Sequence, residues 1–225
     1  ENVGHYYHNC WWMLNGVQQS LRTFLDNLSY LGPLRSPPHR FYYIAGQGIG
    51  TPERGKNFVR NLVKADTSLQ DAISKWLKIS GTPYRLQLQP LDERKTLYEL
   101  RLQESSVDQQ MQVSANIREV GFGITQILPI IAQAVLAQPG DTLIIEQPEL
   151  HLHPLAQAEL GDMFIAMSQR GVHFLIETHS EHLLLRLRRR IAETTLQKLK
   201  GSLDLPLEQH STAWKLETRE LSIHF

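Results

Sequence analysis

Among its 225 residues the chain has a single cysteine, Cys10, so no disulfide can form within it, and a reducing, cytoplasmic setting is the expectation. No run approaches the roughly 20 apolar residues that a helical membrane span requires, and no membrane partner is expected. Charge of one sign is not in excess either. Lysine plus arginine and aspartate plus glutamate each number 23, so any contact with nucleic acid must be local rather than driven by a global field. The start, ENVGHYYHNCWW, has neither a basic leader nor an initiator methionine, which suggests part of a longer protein. Internal repeats and low-complexity segments are missing too. What remains is enough chain for one substantial domain or two small ones.

A convincing phosphate loop is also lacking. Gly46 to Asn57, GQGIGTPERGKN, sets Gly50, Gly55 and Lys56 at the spacing G-x-x-x-x-G-K-[ST], between a strand-like FYYIA and a helix-like FVRNLVKA. The chemistry wants a hydroxyl after the lysine to bind Mg2+, but Asn57 stands there. Pro52 removes one of the backbone N–H donors that would cradle phosphates. The segment therefore reads as a connection.

The richest stretch runs from Asp141 to His182. Thr142 to Ile145 is a short apolar run entered from the turn pair Pro139-Gly140, the pattern of a strand buried on both faces. Glu146, Gln147 and Glu149 follow, which gathers two carboxylates and an amide at the carboxyl edge, where open parallel sheets bind ligands. His151, His153 and Pro154 lead into a helix over 155–169, with Leu155, Leu160, Met163, Phe164 and Met167 at helical spacing and Gly171 as its stop. Val172 to Ile176 repeats the strand pattern and ends in Glu177, Thr178, His179 and Ser180, ahead of a helix over 181–192. Strand, helix, strand is a parallel unit whose right-handed crossover puts both polar ends on one edge. Glu146 and His179 are thus expected to face one crevice.

Three strings in this order carry a resemblance. VGFGITQILPI at 120–130, LIIEQPELHLHP and IETHSEHLL resemble the signature, the Walker B with D-loop, and the H-loop of ATP-binding-cassette-type ATPases of the SMC, Rad50 and OLD-like group, especially bacterial AAA-family ATPases carrying a DUF3696 region. The match spans 119–190, about a third of the chain. It implies an α/β fold with the mainly parallel sheet of an ATPase head, residues 119–225 forming its C-terminal lobe and residues 1–118 a region of helical and antiparallel β elements ahead of it. ATP and Mg2+ are the implied cofactors. Glu146 takes the place of the Walker B acid and metal ligand, and His179 that of the γ-phosphate sensor. The signature residues Gly121, Phe122, Gly123, Thr125 and Gln126 would act on the nucleotide of an opposing head. The implied protein is a homodimer or higher oligomer joined through its heads by ATP and released by hydrolysis. An effector protein or DNA is the further partner such a switch would have, with antiviral defence or DNA repair as the setting.

Gln147 departs from that pattern, because a glutamate general base is expected at its position. An amide orients water but cannot take its proton at neutral pH, so hydrolysis should be slow or should recruit Glu149. A nucleotide-gated clamp with little turnover is the alternative. A different class stays open as well: His151, His153, His179 and His182, with Glu146 and Glu149 nearby, have the chemistry of a metal-dependent hydrolase or nuclease.

The rest of the chain supplies scaffold. Val17, Leu21, Phe24, Leu25 and Leu28 recur at helical spacing behind Tyr6, Tyr7, Trp11 and Trp12, and core anchoring is expected of them, with base stacking by the aromatics as the alternative. Residues 30–40, broken by Pro33, Pro37 and Pro38, read as an irregular crossing whose Arg35 and Arg40 pair with carboxylates rather than phosphates. A short helix over 66–78 turns Leu69, Ile73, Trp76 and Leu77 inward. Alternating runs at Tyr84, Leu86, Leu88, at Tyr98, Leu100, Leu102 and at Met111, Val113, Ala115 predict an antiparallel meander. The stretch 124–136 is apolar nearly all round and predicts a buried helix, with Gly121 and Gly123 ahead of it able to bring backbone N–H groups close to an anion. Arg186, Arg188, Arg189 and Arg190 form the only dense basic run, expected to be a solvated helix face, with a DNA backbone contact as the alternative. A last strand is expected within 214–225.

Overall fold

The computed structural model describes residues 2–33, 35, 38–44, 58–65, 67–79, 84–104, 114–202 and 215–224. Two sheets share one core. The first is parallel, in the order β1 (Leu28–Leu31), β6 (Thr142–Glu146), β7 (His173–Glu177), and the helix α5 (Pro154–Ser168) makes the crossover from β6 to β7. The second is antiparallel: β4 (Leu97–Glu104) pairs along its length with β3 (Tyr84–Pro90), and its other edge takes β2 (Tyr42–Tyr43) and β5 (Ser114–Asn116). The first two period-2 runs form the expected antiparallel pair, and Ala115 of the third lies in β5, Met111 and Val113 being outside the described residues. Asp92 closes its turn by accepting from the backbone N–H of Thr96 and Leu97, both at 2.8 Å.

A single apolar cluster joins Leu86, Leu100 and Leu102 of the antiparallel sheet, Ile127 and Ile131 of the helix α4 (Phe122–Leu136), and Leu143 and Ile145 of the parallel sheet. Every one of these is at most 1% exposed, which at roughly 25 cal/mol per Å2 makes this cluster the main driving force for folding. α4 is therefore the buried helix its sequence predicts, with Pro129 inside it. The helix α3 (Thr67–Ile79) turns Ile73, Trp76 and Leu77 inward as its spacing predicts, beside the short α2 (Phe58–Lys64).

Several expectations need correction. The apolar residues of the first helix, α1 (Asn2–Asp26), do not anchor the core: Trp11, Trp12, Leu14, Val17, Leu21, Phe24 and Leu25 are all more than half exposed, because helical spacing reports an apolar stripe and not what covers it. The side chains of Tyr6 and Tyr7 lie outside the described residues, as does the phosphate-loop-like segment 46–57 and the run 105–113. Leu28 begins a strand, and the supposed irregular crossing opens with β1, whose Tyr30 and Leu31 register against Ile144 and Ile145. The parallel strands are not buried on both faces. Leu143 and Ile145 face the core, whereas the row Tyr30, Ile144, Leu175 lies on the opposite face, with Tyr30 57% and Leu175 62% exposed. The last helix, α6 (Glu181–Ser202), runs ten residues past the expected end, and the described part of 214–225 holds a 3-10 turn, Thr218–Glu220, with no strand.

Candidate functional site

Parallel pairing sets Glu146 directly beside Glu177, so the segments that follow β6 and β7 leave the sheet at one edge. Glu149 then ties them together. Its Oε2 accepts from the Thr178 hydroxyl at 2.8 Å and its Oε1 from the His179 backbone N–H at 2.7 Å. Ser180 continues the chain of bonds, donating its hydroxyl to Gln157 of α5 at 2.6 Å and accepting the Leu183 N–H at 3.1 Å, which caps α6. The His179 backbone is thereby fixed while its residue stays exposed.

The segment 147–153 is equally constrained. Gln147 and His151 both have positive φ, 44° and 62°, a left-handed conformation that non-glycine residues adopt only where surrounding structure holds them. Gln147 donates its N–H to the Glu177 carbonyl at 2.8 Å and accepts from Leu150 at 3.3 Å. Arg35, 8% exposed, reaches in from the segment after β1 and donates its Nη2 to the carbonyls of Glu146 (3.0 Å) and Gln147 (3.4 Å). His153 caps α5 through Nδ1, which accepts from Leu155 N–H at 3.3 Å, and Pro154 fills the first helical position. The start of α4 packs on the same segment, since a Cβ on Gly123 would stand 2.7 Å from the His151 carbonyl oxygen; glycine is what permits this approach. Gly121 at the N-cap of α4 faces open space.

Electrostatics centre on the two glutamates. The Tyr30 phenol is raised above its ordinary pKa, by its interaction with the Glu146 carboxylate first, then by desolvation and by the negative charge of Glu146 and Glu177. Burial pulls the Arg35 guanidinium below its ordinary value, and the charge of Glu149 works against that. The Gln147 side-chain amide has no partner among the described residues.

Glu146, Gln147, Glu149 and His179 are thus gathered at one sheet edge, with Gly121, Phe122 and Gly123 at the adjoining helix start. Thr125 and Gln126 are placed differently. They are 7% and 3% exposed, and the Gln126 amide is directed at the Arg35 carbonyl, 3.4 Å away, because α4 turns that side toward the core. Among the described residues no three His, Cys, Asp or Glu side chains group as a metal centre would require. The basic run is not a uniformly solvated face: Arg190 bonds Asp162 through Nε and Nη2, both at 2.7 Å, and Arg186 approaches the same carboxylate at 3.4 Å. These bonds raise the Arg190 pKa further above its ordinary value. Arg40 pairs with Glu119 at 2.9 Å as expected, whereas Arg35 binds carbonyls instead of a carboxylate. Sequence reasoning placed Thr178 at the strand end but missed Tyr30 and Arg35 as parts of the edge; the trace of Tyr30 was an apolar LSYL run, and Arg35 was read as pairing with a carboxylate.

The class is that of ABC/AAA-type ATPase domains, α/β proteins whose family ligands are a nucleotide and, typically, Mg2+. A family model described as AAA domain, putative AbiEii toxin, Type IV TA system matches residues 29–186, well over half of the chain, and the chain belongs to that family. The Old nuclease of Escherichia phage P2 is 26% identical over 140 residues, 58% of this chain and 24% of that protein. The chain thus spans about a quarter of the length of this relative. Among solved structures, one from work on ATP-driven dimerization and DNA-stimulated activation of SMC ATPases has a TM-score of 0.43 at 12% identity, covering 59% of this chain and 77% of that one. The Smc head domain of Pyrococcus furiosus, bound to the C-terminal domain of ScpA, has a TM-score of 0.42 at 13% identity, covering 60% and 32%. No helix among the described residues is long and apolar enough to cross a membrane.

Proposed function

We propose that this chain carries the acid, the imidazole and the signature segment of an ATP-hydrolysing head that works as a nucleotide-driven dimerisation switch. The observation that carries this reading is the Glu149 clasp, which binds the segment after β6 to the segment after β7 and so keeps Glu146 and His179 on one edge. Glu146 suits Mg2+: it is a hard oxygen donor at a strand end, half-buried beside the Tyr30 phenol. Bound there directly or through water, the ion would neutralise charge on the transferring phosphoryl group.

Each neighbour has a distinct task. Gln147, its main chain held left-handed and its amide without a partner among the described residues, orients the attacking water without accepting its proton. The oxygens of Glu149 are taken up by Thr178 and His179, so we assign it to holding the edge rather than to acting as a substitute base. His179 presents an imidazole to the terminal phosphate. The backbone of Gly121–Gly123 offers N–H groups to the nucleotide of a second head, and the buried Thr125 and Gln126 set the start of α4 from behind. Residues 119–225 form the C-terminal lobe in this reading, and β1 joins their sheet from the preceding region. A homodimer joined through these heads, passing its motion to an effector protein or to DNA in antiviral defence or repair, is the assembly we propose. The nuclease named in the phage relative illustrates one class of effector.

Gln147 favours one second reading, a clamp that binds ATP and scarcely turns it over. Steady-state Mg-ATP hydrolysis by the intact protein separates the two. Measurable turnover that Gln147→Glu leaves unchanged or lowers supports the switch; negligible turnover that rises in Gln147→Glu supports the clamp, and neither turnover nor ATP binding in any variant defeats both.

A further inference from the structure

We infer that Arg35 is a positioning residue, a clamp that fixes the acid segment 146–151 and couples it to the start of α4. Three observations converge on it. Its buried guanidinium donates to two successive carbonyls, Glu146 at 3.0 Å and Gln147 at 3.4 Å, the point where the chain turns left-handed. Its own carbonyl lies 3.4 Å from the Gln126 amide of α4, and one strand earlier Ser29 accepts from Gln133 of α4 at 3.1 Å. Through Ser29 and Arg35 the chain therefore ties α4 to β6 at two points. Among the described residues the Arg35 Nε and Nη1 are buried without a partner, a desolvation cost that accompanies the placing of Nη2 on the two carbonyls.

The geometry explains why arginine stands here. The Nη2 at the tip of a long stem reaches both carbonyls from outside the loop, and its charge strengthens both bonds. With the carbonyls held, the Gln147 backbone cannot relax out of its strained turn, and the amide that orients water keeps its direction. A movement of α4 caused by a second head would reach Gln147 through Gln126 and Arg35. This catalytic consequence rests on the proposed ATPase reading; the clamp itself does not.

The test uses Arg35→Lys in the intact protein, with amide exchange measured without nucleotide and Mg-ATP kinetics measured in parallel. Lysine keeps the charge, but its shorter stem leaves the ammonium short of the two carbonyls that the Arg35 Nη2 reaches. Exchange at Gln147, Leu150 and Leu152 is expected to rise about tenfold or more, while the β3–β4 pairing keeps its protection. Turnover should fall on the order of tenfold with KM for ATP unchanged, and in a Gln147→Ala background Arg35→Lys should cost nothing further, because both act through the same group. Unchanged exchange over 146–152 overturns the clamp. Raised exchange with turnover losses that multiply in the double variant overturns the route through Gln147. Raised exchange in a protein whose wild type hydrolyses no ATP leaves the clamp standing and defeats the ATPase reading instead.

Discussion

The acid segment 146–153 and the helix α1 are held in opposite ways. In the first, polar residues are gripped from several directions: Arg35 on two carbonyls, Glu177 on the Gln147 N–H, Gly123 against His151, and Thr178 and His179 on Glu149. In the second, an apolar stripe from Trp11 to Leu25 is more than half exposed throughout, down to 54% at Leu25. Hydrophobicity alone would have ranked them the other way. Position follows from available partners, so a polar loop whose main chain is tied at several points can be more fixed than an apolar helix whose stripe is exposed.

Substitutions can break or sharpen this contrast. The largest effect is expected at Glu146, where Glu146→Gln keeps the shape and removes the charge; Mg-ATP turnover of the intact protein should drop at least about 100-fold while ATP still binds. Gly123→Ala comes next. Its Cβ would lie 2.7 Å from a backbone oxygen, so α4 or the acid segment must shift, at about 2 kcal/mol of stability read by urea unfolding. Glu149→Ala leaves the Thr178 hydroxyl and the His179 N–H without their acceptor and should cost about 1–2 kcal/mol by the same measurement.

A control lies in the antiparallel sheet, away from the edge. The Glu99 carboxyl is held below its ordinary range by the Asn116 amide first, against burial that pushes it up, with Arg101 adding to the lowering. A depressed folded pKa contributes stability that is fully present above the unfolded value and is lost as pH falls through the folded one. Melting temperature followed down the acid range should therefore show a limb that Glu99→Gln flattens, with the acid segment unaffected. The smallest effect is expected on α1: Leu21→Gln or Leu25→Gln should change stability by no more than about 0.5 kcal/mol. A loss of about 2 kcal/mol in the intact protein would mean that the stripe is covered there, and the contrast would shrink.

Much of the fold could be read in advance where a residue's period was enough to place it. The alternation in Leu86, Leu88, Leu100 and Leu102 made the antiparallel pair legible, and the all-round apolar character of Ile127 to Val135 made α4 legible as buried. At the edge, the order of strand, helix, strand was enough to set the ends of β6 and β7, and with them Glu146 and the segment of His179, on one side of the sheet. What stayed hidden depends on long-range partners. β1 was obscured because four residues followed by Gly32 and Pro33 carry too little period to register as a strand. Arg35 was obscured because a buried arginine and a surface arginine look alike in a string, and α1 because its cover is not encoded in its own spacing.

The most direct measurement is the coupling between Glu146 and His179 in Mg-ATP hydrolysis by the intact protein, from Glu146→Gln, His179→Ala and the double variant. If the two side chains serve one phosphate site, each single change slows turnover and the double variant is slower than Glu146→Gln alone by no more than about threefold. Losses that multiply independently, or a His179→Ala enzyme as fast as wild type, would contradict a shared site at this sheet edge.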